Sequence, residues 1–130
     1  MVKQITLAIL TLFLLAAVGC DGPRTVWSAE SRSPDGKMIA HAWTVQPSGI
    51  GTGNPETFVD LNWRSGSQSP TLVLAFDDGS DSAEGDKKVG MNWLSSTHLN
   101  LTYTGPRTID FQAIKCHGID ISVQDEKVIR

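Results

Sequence analysis

The amino-acid sequence predicts an all-β protein of about seven to eight strands, preceded by a cleaved signal helix. Short apolar or alternating runs recur from residue 25 onward, and turn-forming residues separate them. No window after residue 20 shows the period of an amphipathic helix. Strands at this spacing favour an antiparallel sandwich, a curled sheet or a small barrel, built as a single domain over residues 27–130.

Six runs are the clearest strand candidates, and two others are weaker. The clear runs cover residues 38–45, 57–63, 71–77, 89–93, 99–103 and 119–123, and the weaker ones cover 25–31 and 109–114. The nearly continuous apolar run "TLVLAFD" at 71–77 predicts a central strand. The four tryptophans are expected to be the large pieces of the core: Trp27, Trp43, Trp63 and Trp93.

The segment Ser33-Pro34-Asp35-Gly36 predicts a type I turn. Serine suits the first position of that turn, proline the second and glycine the fourth. We expect this turn to join a strand through Trp27 to the strand that starts at Met38.

The first 19 residues have the layout of a secretory signal peptide, with Lys3 in a short positive region and an apolar stretch over 5–18. As a helix this stretch would reach about 21 Å, which is short of the ~30 Å hydrocarbon core of a bilayer. A signal peptide over residues 1–19 is therefore favoured over a membrane-spanning helix.

The end of this segment, Ala17-Val18-Gly19-Cys20, resembles the lipobox of bacterial lipoproteins, with Ala17 where that family usually has leucine. The resemblance implies that the signal is cut before Cys20 and that the Cys20 sulfur carries diacylglycerol. Residues 20–26 would then be a lipid-anchored linker. Asp21 resembles an inner-membrane retention signal, which favours the periplasmic face of the inner membrane.

The sequence contains two cysteines, Cys20 and Cys116. In an exported protein such a pair suggests a disulfide, but a lipidated Cys20 would leave Cys116 as a single thiol. We expect Cys116 to be buried on one strand face with Ile114, and a reactive thiol or an intermolecular disulfide is the alternative.

The stretch "SPDGKMIAHAW" resembles turn-and-strand units of periplasmic β-propellers. A complete propeller needs at least four blades of four strands, and this chain has strands for about two. The order of motifs also resembles small uncharacterised bacterial lipoproteins, a group without an assigned activity.

The charge of the chain argues against nucleic acid as a partner. The formal net charge is −3, and without residues 1–19, which contain Lys3, 10 basic residues stand against 14 acidic ones, or −4. No basic stripe is present that could follow a phosphate backbone.

Two loops are candidates for ligand or metal binding. The glycine-rich loop with Gly49, Gly51, Gly53 and Asn54 is a possible binding loop, although no helix follows it as in a phosphate-binding loop. The acidic loop around residues 77–86 fails the EF-hand pattern because Gly79 takes the third position, and it favours a solvated connection.

Neither a cofactor nor a metal is predicted. The three histidines, His41, His98 and His117, lack metal-ligand spacing. His41 alternates with Ile39 and Trp43, which predicts a core or interface position.

These observations predict a membrane-anchored lipoprotein of the bacterial cell envelope, with the lipid bilayer as its first partner. Its β domain is expected to be a non-catalytic binding or accessory module. An immunity or inhibitor lipoprotein that blocks a toxin or hydrolase is the alternative, and an enzyme whose site is assembled from distant strands is a third class.

Overall fold

The computed structural model describes residues 22–48, 53–79, 87–105 and 107–127. These residues form nine strands and no helix, which confirms the predicted all-β class. The strands are β1 Arg24–Arg32, β2 Met38–Gln46, β3 Glu56–Trp63, β4 Thr71–Asp77, β5 Gly90–Ser95, β6 His98–Tyr103, β7 Thr108–Gln112, β8 Lys115–Cys116 and β9 Ile119–Asp125.

The strands form two sheets that are not closed into a barrel, and the architecture is a β sandwich. A five-stranded sheet has the order β1-β2-β3-β4-β7, and a four-stranded sheet has the order β5-β6-β9-β8. All eight predicted strands are present, and the additional strand is the two-residue β8. The pair β6–β9 is parallel and therefore differs from the antiparallel arrangement expected, whereas the other described pairs are antiparallel.

The first strand begins earlier than the domain boundary predicted at residue 27. Arg24 and Thr25 pair with Gln46 and Val45 at the end of β2, so β1 extends into the segment predicted as a linker. A register shift between Thr25 and Trp27 keeps the Trp27 side chain on the core side after this extension.

The core lies between the two sheets and is built by alternation along their strands. Leu61 and Leu74 contribute from the five-stranded sheet, and Leu99 and Leu101 contribute from the four-stranded sheet, all with 0% exposure. The strand β4 is buried over Val73–Phe76, as the continuous apolar run predicted. A hydrogen bond of 3.2 Å from Trp93 Nε1 to the carbonyl oxygen of Ser31 joins the edges of the two sheets.

The turn predicted between β1 and β2 is confirmed. The Gly36 amide donates to the Ser33 carbonyl at 2.9 Å, which closes the four-residue turn. Gly36 has a φ of 72°, a backbone conformation that glycine adopts without steric cost.

One tryptophan does not lie in the core. Trp27, Trp63 and Trp93 pack against the core cluster, whereas Trp43 was wrongly expected to do so. The inward residues of β2 are Met38, Ala40, Ala42 and Thr44, and the two alanines lie opposite Leu61 and Val59 on β3. Because those larger side chains and the second sheet fill the interior there, β2 supplies small residues in its middle and Trp43 points outward.

Candidate functional site

The side of the five-stranded sheet that faces away from the second sheet, called the outer face below, carries a row of large side chains. The strand registers place five residues opposite one another at one level, one on each strand: Ser28, Trp43, Phe58, Ala75 and Phe111. Phe111 is 45% exposed, and Ala75 between the two phenylalanines is buried. The row is therefore apolar from β2 to β7, and it ends on β1 in the exposed, polar side chain of Ser28.

Three rings form a stacked array around the centre of this row. The rings of His41 and Trp43, two residues apart on β2, have centroids 5.0 Å apart and an interplanar angle of 14°. The Trp43 and Phe58 rings, opposite each other on β2 and β3, have centroids 5.4 Å apart and an angle of 27°. Because each ring supports the next, the array presents a preformed aromatic surface.

A partly buried carboxylate lies beside the aromatic array. Asp60 pairs with His41 across β2 and β3, with 3.9 Å between Asp60 Oδ1 and His41 Nδ1. Leu72, opposite Asp60 on β4, is 38% exposed, whereas the Asp60 side chain is only 15% exposed. Burial raises the pKa of the Asp60 carboxyl, and the charge of His41 offsets part of that increase.

The outer face has an acidic character. Four carboxylates occupy its strand positions, Glu30, Glu56, Asp60 and Asp77, whereas the cations of this side, Arg32, Lys37 and Arg64, lie together at the end where β2 begins. Together with the aromatic array, this charge favours a positively charged group, which an aromatic ring face and a carboxylate both attract.

A serine–histidine pair occurs on the other sheet, but its hydrogen bonds do not activate the serine. Ser122 Oγ donates its only proton to Asn100 Oδ1 at 2.7 Å. His98 Nε2 lies 2.9 Å from Ser122 Oγ and must therefore be the donor in that hydrogen bond. A histidine that serves as general base would have to accept that proton.

A buried polar cluster links the ends of β2, β3 and β4. Thr44 and Thr57 share a hydrogen bond of 2.7 Å, and Thr57 Oγ1 donates to Asp78 Oδ2 at 2.6 Å. Arg107 donates to the Asp78 carbonyl oxygen, and its Nε lies 4.0 Å from Asp78 Oδ1. Burial raises the pKa of Asp78, while Thr57 and Arg107 lower it in part. The cluster fastens the chain after β4 to the segment that begins β7.

The residues predicted from the sequence as a binding loop do not come together with the outer-face array in what the structure describes. Gly49 and Gly51 lie outside the described residues, as do Cys20 and Asp21. Gly53 is exposed. Asn54 Nδ2 donates to Asp77 Oδ2 at 3.4 Å, which ties the end of the loop to the end of β4.

Cys116 is a free, half-buried thiol on β8. Burial raises the pKa of this thiol, and a hydrogen bond from Thr71 offsets part of the effect. The expectation that Ile114 shares a buried strand face with it is wrong, because Ile114 precedes β8 and is 77% exposed. A raised pKa lowers the thiolate fraction and hence the reactivity of the thiol.

The array was missed from the sequence because it depends on strand pairing. The alternation of β2 indicated that His41 and Trp43 share a face, and His41 was predicted at a core or interface position. That Phe58 and Asp60 lie directly across from them follows only from the register of β3. The available signal was the mixed aromatic and polar face of β3, with Phe58, Asp60 and Asn62 alternating.

Comparison with known proteins found no matching family model, no matching curated protein and no matching solved structure. Among the described residues, no helix is long and apolar enough to cross a membrane. Within the same ranges, no group of three or more histidine, cysteine or acidic side chains could hold a metal ion.

Proposed function

We propose that this protein is a lipid-anchored lipoprotein of the bacterial envelope whose β domain is a non-catalytic binding module. The proposed anchor is Cys20, and the proposed binding surface is the outer face, centred on His41, Trp43 and Phe58. The observation that carries the binding role is the stacked aromatic array on a sheet face that the core does not use.

The proposed occupant is a positively charged segment of a partner protein. Glu30 and Asp60 lie beside the array, and a lysine or arginine side chain could contact a ring face and a carboxylate together. The Asp60 side chain is already largely shielded from water in the free protein. Binding of a partner cation would therefore cost less additional desolvation of this carboxylate than of a fully exposed one.

Binding can be tested with a hexa-arginine peptide added to the full-length protein in detergent, followed by isothermal titration and amide NMR shifts. We expect saturable binding with shifts centred on β2 and β3, and at least tenfold weaker binding for Trp43→Ala and for Asp60→Asn. Glu126→Gln is the matched control, since it removes one exposed negative charge on a residue that follows β9 in the other sheet. Equal weakening by all three variants, or no saturable binding, would contradict the proposal.

The anchor requires a separate test, because the binding surface and the lipid attachment can fail independently. Mass spectrometry of the mature protein from a bacterial host should show an amino terminus at Cys20 that carries diacylglycerol. The Cys20→Ala variant should lose membrane association in carbonate-washed fractions. An unmodified Cys20, or a Cys20–Cys116 disulfide, would overturn the lipoprotein assignment.

The acidic outer face also supports a second candidate, an immunity or inhibitor lipoprotein directed at a basic toxin or hydrolase. Such a partner should bind the wild type in a one-to-one complex and lose its activity there. Trp43→Ala should abolish that inhibition while Glu126→Gln retains it. An accessory module would bind its partner without blocking activity.

A further inference from the structure

The end of the outer face where β2 begins is positively charged. Lys37 and Arg64 lie opposite each other there, and the Arg64 amide donates to the Lys37 carbonyl at 2.8 Å. Both side chains leave the outer side of the sheet, because their strand neighbours Met38 and Trp63 pack on the core side. Arg32 on β1 adds a third cation on the same side.

The opposite end of the same face is negatively charged. Glu56, at the start of β3, lies opposite Asp77 at the end of β4. Asp77 is held by the Gly79 amide, which donates to Oδ1 at 2.7 Å, and by Asn54 Nδ2, 3.4 Å from Oδ2, whereas Glu56 is exposed. Glu56 and Arg64 are eight positions apart along β3, which corresponds to about 27 Å at ~3.4 Å per residue.

Both ends place like charges opposite each other, which is unfavourable for a domain on its own. Cross-strand neighbours of the same sign destabilise a sheet, and Lys37 with Arg64 and Glu56 with Asp77 are two such pairs. Neither Lys37 nor Arg64 forms an ion pair with a carboxylate among the described residues. Groups of opposite charge above each end would relieve the repulsion at both.

Between its charged ends the face carries large apolar side chains. Trp43 and Phe58 stack near the middle, Ile39 and Val45 are half-buried on β2, and Leu72 on β4 is 38% exposed. A face that is apolar in its middle and oppositely charged at its ends is complementary to itself when a second copy lies antiparallel on it.

We propose that a second copy of this chain covers the outer face in a two-fold symmetric, antiparallel dimer. The axis lies in the interface and crosses the strands between the levels of His41 and Trp43. This places His41 over the partner's Trp43, and Asp60 over the partner's Phe58, so that no carboxylate of the middle lies over its own copy. Asp60 keeps His41 of its own chain as a neighbouring counter-charge.

The same arrangement brings the charged ends together. Arg64 is two residues along β3 from the position that lies over the partner's Glu56, which is about 7 Å and within the reach of an arginine side chain. By symmetry this contact occurs twice in each dimer.

The area of the face suits a reversible dimer. Five strands ~4.8 Å apart span about 19 Å, so the face covers about 500 Å² per copy and about 1,000 Å² for the pair. Stable interfaces bury about 1,200–2,000 Å², and transient ones bury less. We therefore expect the monomer and the dimer to exchange.

This inference rests on the proposed function for the role of the outer face and adds its regulation. The second copy is the occupant in the absence of another partner, and a cationic partner segment must displace it to reach the aromatic array. Hexa-arginine should accordingly convert the dimer to the monomer.

Dimerisation is measured by sedimentation equilibrium of the full-length protein in a density-matched detergent, at several protein concentrations and a constant detergent-to-protein ratio. We expect a monomer–dimer equilibrium that Trp43→Ala, Glu56→Arg and Arg64→Glu each weaken at least tenfold. The double variant Glu56→Arg with Arg64→Glu should restore dimerisation, because it exchanges the two charges and keeps the contact. Lys127→Glu reverses an exposed charge after β9 and is the matched control, with dimerisation unchanged.

The outcomes separate this inference from the proposed function. A protein that stays monomeric at every concentration but still binds hexa-arginine at β2 and β3 overturns the dimer and leaves the cationic partner in place. A dimer with the expected response to the variants but without hexa-arginine binding supports the dimer and contradicts the cationic partner. Failure of the double variant to restore dimerisation, or equal weakening by Lys127→Glu, overturns the proposed arrangement.

Discussion

Trp43 and Phe58 stack across β2 and β3 on the outer face, with 5.4 Å between their ring centroids. A stacked pair of this kind adds about 0.5–1.5 kcal/mol beyond the burial of its area. Leu61, two residues before the end of β3, lies on the other side of the same sheet with 0% exposure. Replacing a large side chain by alanine should therefore change the free energy of unfolding by different amounts on the two sides of the sheet.

Trp43→Ala should lower the free energy of unfolding by about 1 kcal/mol, mainly through the lost ring contacts. Leu61→Ala should lower it by about 2–5 kcal/mol because it leaves a cavity in a closed core. Urea denaturation followed by circular dichroism measures both values. A loss for Trp43→Ala as large as that for Leu61→Ala would show that the outer-face rings are part of the core's stability.

The pH dependence of stability should reveal the partly buried Asp60. Burial raises its pKa in the folded protein above the ordinary value of 3.8, so the folded state holds this proton more tightly than the unfolded state. The resulting stabilisation is fully present below that ordinary value and is lost as the pH rises through the folded-state pKa. Relative to Asp60→Asn, the wild type should therefore become less stable as the pH rises in this window.

Glu126 provides an internal comparison of opposite sign for that measurement. Hydrogen bonds from Thr102 and Thr104 lower its pKa below 4.5. Its contribution is present above that value and is lost as the pH falls through the folded-state pKa. Denaturation series for Asp60→Asn and Glu126→Gln should give difference curves with opposite slopes, and slopes of the same sign would contradict the pKa directions.

Gly90 on β5 should not tolerate a side chain, because a Cβ there would lie 2.4 Å from Thr102 Oγ1. In Gly90→Ala the Thr102 side chain must move, and its 2.8 Å hydrogen bond to Glu126 Oε1 should be lost. We expect a loss of about 1–3 kcal/mol for this variant, in the range of overpacked sites.

The double variant Gly90→Ala with Thr102→Ala tests the cause of that loss. Removing the hydroxyl removes the clash, so the double variant should be more stable than the sum of the two single losses predicts. Additive losses in urea denaturation would show that the glycine is needed for a reason other than contact with Thr102.

The predicted strands agree closely with the structure where the sequence pattern depends on burial alone. The run at 71–77 has apolar residues on both faces, and β4 is covered by neighbours on both sides and by the core. The Ser33–Gly36 turn was equally predictable, because its backbone conformation follows from local steric preferences.

Periodicity alone did not identify the inward face of β2. Ile39, His41, Trp43 and Val45 are larger than the residues between them, which made their face look like the core. Which face of β2 points to the core is decided by the volume that side chains of the other strands occupy there. The sequence of β2 alone does not contain this information. For the same reason the candidate site was only partly visible, since its cross-strand partners Phe58 and Asp60 depend on register.

The parallel pairing of β6 and β9 has a consequence for the order in which the fold can be completed. Between these two strands the chain crosses to the other sheet, where β7 becomes the edge next to β4, and then returns through β8. Each sheet therefore needs strands from the last quarter of the chain before its strand pairing is complete. During synthesis or export from the N-terminus, β4 and β6 would each have an unpaired side until residues 108–125 arrive. A chaperone that covers unpaired strand edges would act most effectively in that interval. Truncation of the chain before β7 would leave β4 and β6 each without a neighbouring strand on one side.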